Sequence, residues 1–155
     1  MEHSMVQLTI DGRGVSVPAG TRILDACAAA GVRVPTLCHL PEVSSNASCG
    51  VCVVEVEGAK SLVRSCVQNV GPGMVIKTNS PRVQESRRTI VELLLADHPD
   101  DCLYCEKNGS CQLQTLAESL NIRQRRLRGK KSRHAMDISS PAIVRNPEKC
   151  ILCGQ

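Results

Sequence analysis

Ten cysteines in ordered spacings constrain this chain more than any other feature of its sequence. Cys38, Cys49, Cys52 and Cys66 form the pattern C-x10-C-x2-C-x13-C, and His98, Cys102, Cys105 and Cys111 follow as H-x3-C-x2-C-x5-C. The first ten residues include Glu2 and no long apolar run, so no secretory signal is predicted. The expected compartment is therefore reducing, where stable disulfides are rare and cysteines act as metal ligands or redox groups. The interior must also do without aromatic bulk: there is no Phe and no Trp, and Tyr104 is the single tyrosine. Val, Ile, Leu and Ala have to fill the core, and small domains with thin cores are usually held by disulfides or metal. Hydrophobic residues at 42% and charged residues at 22% exclude wholesale disorder. No stretch approaches the ~18–20 consecutive apolar residues of a membrane span.

The alternation Val6-Gln7-Leu8-Thr9-Ile10 predicts a half-buried strand, Asp11-Gly12 a tight turn, and Val15 to Val17 its hairpin partner. Thr21 is the expected N-cap of a helix through Ile23, Leu24, Cys27 and Ala28, stopped at Gly31. Val51 to Val56, Ser61 to Arg64 and Met74 to Lys77 read as further strands, which makes a small mixed sheet with a helix across it. Ser80-Pro81 opens a second section with a helix start signal. That helix is expected to run to about Ala96 with Val83, Ile90 and Leu94 on one face and Val91 close by, and Asp97-His98-Pro99 ends it. A second helix is expected from about Ser110 to Leu120, apolar along Leu113, Leu116, Ala117 and Leu120.

Four thiolates in the first pattern suit either one zinc ion or an iron–sulfur cluster. Between Asn46 and Gly50 the sequence Asn-Ala-Ser-Cys-Gly is small throughout. Backbone can then wrap closely around a bulky inorganic core and donate N–H bonds to its sulfurs, which favours the cluster. In the second set three cysteines and one histidine again suit zinc. Cys111 falls at a predicted helix N-terminus, where free N–H groups and the dipole favour an anionic centre.

These residues resemble the N-terminal iron–sulfur region shared by FeFe-hydrogenase large subunits, the largest iron–sulfur subunit of respiratory NADH dehydrogenase and NAD-linked formate dehydrogenase alpha subunits. The segments Asp97-His98-Pro99-Asp100-Asp101-Cys102-Leu103-Tyr104-Cys105 and Ser139 to Gly154 are most similar to hydrogenase subunits of multimeric NAD(P)-linked, often electron-bifurcating, complexes. The resemblance implies an α+β fold: a ferredoxin-like β-grasp domain over residues 1–79, then a small helical His/Cys-ligated iron–sulfur domain over 80–122. A basic, extended linker over 123–149 and the start of a truncated ferredoxin-type 4Fe–4S segment over 150–155 follow. It implies one 2Fe–2S cluster on Cys38, Cys49, Cys52 and Cys66, and one 4Fe–4S cluster on His98, Cys102, Cys105 and Cys111. FMN and NAD(P) would sit on partner subunits. The implied partners are a flavoprotein that handles NAD(P)H, a thioredoxin-like 2Fe–2S subunit and a catalytic hydrogenase subunit or domain, in the cytoplasm.

Cys150 and Cys153 are similar to the opening of a C-x2-C-x2-C-x3-C-P element and would be partial ligands of a further 4Fe–4S cluster if the chain continues. Two cysteines cannot close a four-ligand cage, so the sequence is either a fragment of a longer subunit or a shortened subunit whose catalytic partner is a separate chain. Cys27 lies in the apolar pattern of the first helix and reads as a buried structural thiol. No nucleophile–base pair, phosphate loop or dinucleotide fingerprint is present, so no catalytic residue is expected and the chain reads as an electron relay. The other class of function left open is a zinc-stabilised module that holds a partner through its basic run, Arg123, Arg125, Arg126, Arg128, Lys130, Lys131 and Arg133. With Tyr104 alone available for stacking and no recognition motif, nucleic acid is not an expected partner. The run reads instead as a solvated or subunit-contacting segment, and His3, His39 and His134 as ordinary surface histidines. The formal charge of +4 falls to roughly +1 once two anionic clusters are counted, which removes bulk basicity as an argument.

Overall fold

In the computed structural model of the chain, residues 4–41 and 43–154 are described; His3, Glu42 and Gln155 lie outside them. Met5–Ile10 (β1) and Arg13–Pro18 (β2) form an antiparallel hairpin in which Val6 faces Val17 and Leu8 faces Val15. Asp11 and Gly12 make its two-residue turn, with φ of 47° and 82°. Both central residues are left-handed, as a turn matched to strand twist requires, and Asp and Gly tolerate that conformation. Val6, Leu8 and Ile10 are buried on one side of β1, as the alternation predicts.

Ile23–Ala29 (α1) follows, with Ile23, Leu24, Ala26 and Cys27 buried. Thr21 is not its N-cap: Arg22 holds that position without a capping side chain, and the Thr21 hydroxyl donates to the Pro18 carbonyl at 2.7 Å. The reason is tertiary. The first helical amides donate to distant backbone, Ile23 to the Gln68 carbonyl at 2.8 Å and Leu24 to that of Ser65 at 3.0 Å. A side-chain cap has nothing left to do there. Gly31, at φ 72°, closes the helix as expected.

His39–Leu40 (β3) pairs with Ser44–Ser45 (β4) in a separate two-stranded ladder. Val53–Val56 (β5), Val63–Arg64 (β6) and Val75–Lys77 (β7) complete a five-stranded sheet of order β2-β1-β7-β5-β6. β1 and β7 run parallel, with Thr9 beside Val75, and the other pairs are antiparallel. The Asp11 carboxylate locks this join by accepting from the Thr78 amide at 2.8 Å and the Thr78 hydroxyl at 2.6 Å. The core between sheet and α1 holds Leu8, Ile10, Ile23, Cys27, Val54 and Ile76 among others, and its inner wall includes Cys52 and Cys66. Aliphatic side chains and thiols fill it, as the composition requires.

β5 starts at Val53 instead of Val51. The carbonyls of Val51 and Val53 accept from the Arg87 side chain, and that of Cys52 accepts from the Ser65 amide and hydroxyl. Residues 51 and 52 are therefore bonded to other parts of the chain and not to a strand ladder.

Pro81–Asp97 (α2) ends before His98 as the sequence predicts, but its buried positions are Val83, Arg87, Val91 and Glu92. Ile90 and Leu94, expected on the core face, are only half-buried. The chain packs as two compact units, residues 4–87 and 88–154, with the division inside α2. In the second unit Cys102–Tyr104 is a single 3-10 turn and Gln112–Ser119 (α3) buries Leu113 and Leu116. Residues 123–149 contain one antiparallel bridge, Asp137 with Arg145, and a 3-10 turn at Pro147–Lys149. Among the described residues no helix is long and apolar enough to cross a membrane.

Candidate iron–sulfur sites

The loop leaving α1, the turn before β5 and the segment after β6 carry Cys38, Cys49, Cys52 and Cys66 in the first unit. Cys38, Cys52 and Cys66 are at most 1% exposed, and Cys49 is half-buried. Local backbone shape serves the sulfurs. Ala47 and Gly50 both have positive φ, 51° and 73°. The turns they allow aim the Cys49 amide at the Cys38 Sγ, and the Val51 amide at the Cys49 Sγ, each at 3.5 Å. The Cys66 segment is anchored separately, because the carbonyls of Ser65 and Gln68 are the ones that accept from α1.

Burial pushes the Cys38 thiol up, but hydrogen bonds from the Cys49 and Ser48 amides and side chains outweigh it and hold the pKa below the usual thiol value. Burial raises Cys49 despite the Val51 amide. Cys66 is pushed up to about 12, by burial first and then by a thiol–thiol hydrogen bond with Cys52 and the charges of Cys52, Cys38 and Cys49. Four thiolates crowded out of water repel one another, so full deprotonation demands a cationic core between them. The thiols are associated in pairs, Cys38 with Cys49 and Cys52 with Cys66. Among the described residues no three ligating side chains close on a single ion position. Soft donors in pairs, with amides aimed at sulfur, fit a binuclear iron–sulfur core.

In the second unit His98, Cys102, Cys105 and Cys111 line one cavity together with Leu95 and Leu113. His98 follows α2, Cys102 opens the 3-10 turn, Cys105 closes it and Cys111 is the N-cap residue of α3. The His98 Nδ1 lies 3.1 Å from the Pro99 carbonyl oxygen. A carbonyl only accepts, so Nδ1 carries the proton and the Nε2 lone pair is available to a metal. Three thiols and an imidazole thus share the lining of one small cavity. Cys150 is exposed and Cys153 half-buried, and neither lines this cavity.

Residues 97–101 are tied down by Arg125, Lys131, Ser132 and Lys149. Lys131 Nζ donates to the His98 carbonyl and pairs with Asp100 at 2.9 Å, and Arg125 meets Asp100 at 2.8 Å. Asp97 accepts from the Ser132 amide at 2.7 Å, and Lys149 pairs with Asp101 at 2.9 Å. Hydrogen bonds from Ser132 to Asp97, from Arg125 to Asp100 and from Lys149 to Asp101 are the main reason these three carboxyls titrate below the usual carboxylate range. Arg126 reaches the fully buried Glu92 at 2.9 Å. The run expected to face solvent or another subunit thus spends Arg125, Arg126 and Lys131 on partners within its own unit. Sequence reasoning also passes over Arg87 and Glu92, and the available signal is position. Arg87 stands four residues after Val83 and four before Val91, in the middle of an apolar stripe.

The first unit combines a mixed sheet with a crossing helix and holds Cys38, Cys49, Cys52 and Cys66. Residues 3–81, just over half of the sequence, match the 2Fe-2S iron-sulfur cluster binding domain, and the chain belongs to that family. Residues 87–126 match the NADH-ubiquinone oxidoreductase-G iron-sulfur binding region. The chain is 50% identical to the NADP-reducing hydrogenase subunit HndD of Solidesulfovibrio fructosivorans, with 97% of this chain and 26% of that protein aligned. It is 38% identical to the mitochondrial NADH-ubiquinone oxidoreductase 78 kDa subunit of Neurospora crassa, over 96% of this chain and 20% of the relative. The chain therefore spans about a quarter or less of these relatives. A crystal structure of an NAD+-reducing [NiFe]-hydrogenase in the H2-reduced state superposes with a TM-score of 0.89 at 34% identity, covering 96% of this chain and 63% of that one. The α+β fold expected from the sequence is the fold observed.

Proposed function

We propose that the chain relays single electrons between a flavin-bearing, NAD(P)-handling subunit and a hydrogenase site, within a cytoplasmic and electron-bifurcating complex. In this reading Cys38, Cys49, Cys52 and Cys66 hold a 2Fe–2S cluster in a domain over residues 1–79. His98, Cys102, Cys105 and Cys111 hold a 4Fe–4S cluster in a domain over residues 80–122. Cys150 and Cys153 begin the binding segment of a further one. The observation that supports the proposal is that the Cys38, Cys49, Cys52 and Cys66 thiols lie within one unit while His98, Cys102, Cys105 and Cys111 line one cavity of the other. The name of the Solidesulfovibrio relative supports hydrogenase chemistry and NADP for the parent complex, and a thioredoxin-like 2Fe–2S subunit is a further proposed partner. The same relay within an NADH dehydrogenase is the second reading, favoured by the match over residues 87–126.

When bound, each cluster accepts and releases one electron at a time. The protein supplies thiolates, shields them from water and directs the Cys49 and Val51 amides at sulfur. It also keeps His98 protonated on Nδ1, so that the donor on Nε2 is neutral. An anaerobic preparation should be brown, with about six iron and about six acid-labile sulfide per chain. After dithionite reduction it should give paramagnetic resonance signals of two cluster types. A colourless protein with two zinc ions, or silence at cryogenic temperature with full iron occupancy, overturns the reading.

The histidine ligand has its own test. His98→Cys exchanges a neutral donor for a thiolate and adds one negative charge, so the variant should keep its iron while the second centre becomes harder to reduce. A potentiometric titration followed by paramagnetic resonance reads the shift. An unchanged potential with the cluster retained means that His98 is not a ligand.

A further inference from the structure

Arg87 is 5% exposed, and its side chain reaches the turn that carries Cys52. Nε donates to the Val51 carbonyl at 3.1 Å and Nη2 to the Val53 carbonyl at 2.8 Å, one residue on each side of that cysteine. A buried guanidinium needs a compensating negative charge, and two neutral carbonyls do not provide one. Among the described residues no carboxylate forms an ion pair with it. The titratable groups that face it are Cys52, Cys27 and Asp11. Cys27 has its pKa pushed up to about 11, chiefly by burial, and so stays a neutral thiol near pH 7. Asp11 is committed to the amide and hydroxyl of Thr78. The residue between the two carbonyl partners of Arg87, Cys52, belongs to the set proposed to hold a 2Fe–2S core, whose net charge is negative.

We propose that Arg87 is a positioning residue for the first iron–sulfur site, the buried counter-charge that fixes the Cys52 turn and favours the reduced cluster. The inference rests on the assignment of Cys52 to a 2Fe–2S cluster. Such a core with four thiolates carries about −2 oxidised and about −3 reduced. A fixed cation stabilises the second state more than the first and so raises the midpoint potential. Arginine suits the task because it does not release its proton in a protein and its planar fork reaches two carbonyls at once.

The test compares Arg87→Met, Arg87→Gln and Arg87→Lys in the full, cluster-loaded chain, by iron content and by potentiometric titration of the 2Fe–2S resonance signal. The second centre serves as an internal reference. A wild-type chain without a 2Fe–2S signal would mean that the site assignment itself fails, independently of Arg87. Given that signal, both neutral variants should retain about two iron at this site. Their midpoint potential should fall, that of the second centre should not move, and Arg87→Lys should recover most of the difference. An unchanged potential in the neutral variants, or a drop that lysine does not reverse, overturns the proposal. If the neutral variants lose the cluster, lysine decides. Retention in Arg87→Lys supports the charge, whereas loss in all three leaves only the two carbonyl bonds as the role of Arg87 and overturns it.

Discussion

Cys66→Ala is expected to remove the first cluster and to melt the sheet unit that surrounds it. Iron should fall from about six to about four per chain, with the 2Fe–2S resonance signal lost and that of the second centre kept. The side chain is fully buried in the core, and its neighbours Ser65 and Gln68 provide the carbonyls that accept the first amides of α1. Losing one sulfur from a packed core costs only about 1 kcal/mol by itself. Losing the metal centre costs far more, because ligands distant in sequence are no longer tied together and metal-binding free energy is folding free energy. Cys27→Ala provides the comparison: that thiol is equally buried, so its variant should lose stability on the small packing scale and keep all its iron. Full iron in Cys66→Ala would remove Cys66 from the ligand set.

Glu92→Ala should have the largest effect in the second unit. Its carboxylate is fully buried between Arg126 at 2.9 Å and Arg88 at 3.5 Å. The Arg88 Nε is itself buried and makes no hydrogen bond. Removing one member of a buried charge group costs about 3–5 kcal/mol, since the opposite charges are left uncompensated. Arg126 and Arg88 remain partly exposed, so the lower end of that range is expected. Residues 123–133 would also lose an anchor to α2, and trypsin should cut there faster than in the wild type. Thermal melting and limited digestion measure both effects. If melting point and cleavage rate are unchanged, Glu92 does not anchor the segment.

The parts of this structure that are legible in the sequence follow local rules. The β1–β2 hairpin is readable because Asp11-Gly12 meets a turn requirement and Val6, Leu8 and Ile10 alternate beside it. The end of α2 before His98-Pro99 and the stop at Gly31 are readable for the same kind of reason. Both candidate sets can be named from spacing, and the residues of the second set line one cavity. What escapes depends on partners far along the chain. Thr21 looks like a cap, yet carbonyls of Ser65 and Gln68 do its work. Val51 looks like the first residue of a strand, yet its carbonyl is taken by Arg87. The charges at Arg87 and Glu92 break the expected apolar face of α2, since burial of a charge is stable only with partners that no local pattern reveals. The basic run misleads in the same way, because its partners Asp100 and Glu92 lie well before it in sequence.

The parallel join of β1 to β7 sets the order in which this protein can be completed as it leaves the ribosome. Cys38, Cys49, Cys52 and Cys66 all emerge before Val75–Lys77, the strand that closes the sheet between the two hairpins. Pairings between distant segments form late and slowly. Throughout that interval four thiols of a nascent polypeptide stand open to oxidation and to mispairing. Oxidation of those thiols is therefore expected to do most harm before the last strand slots in.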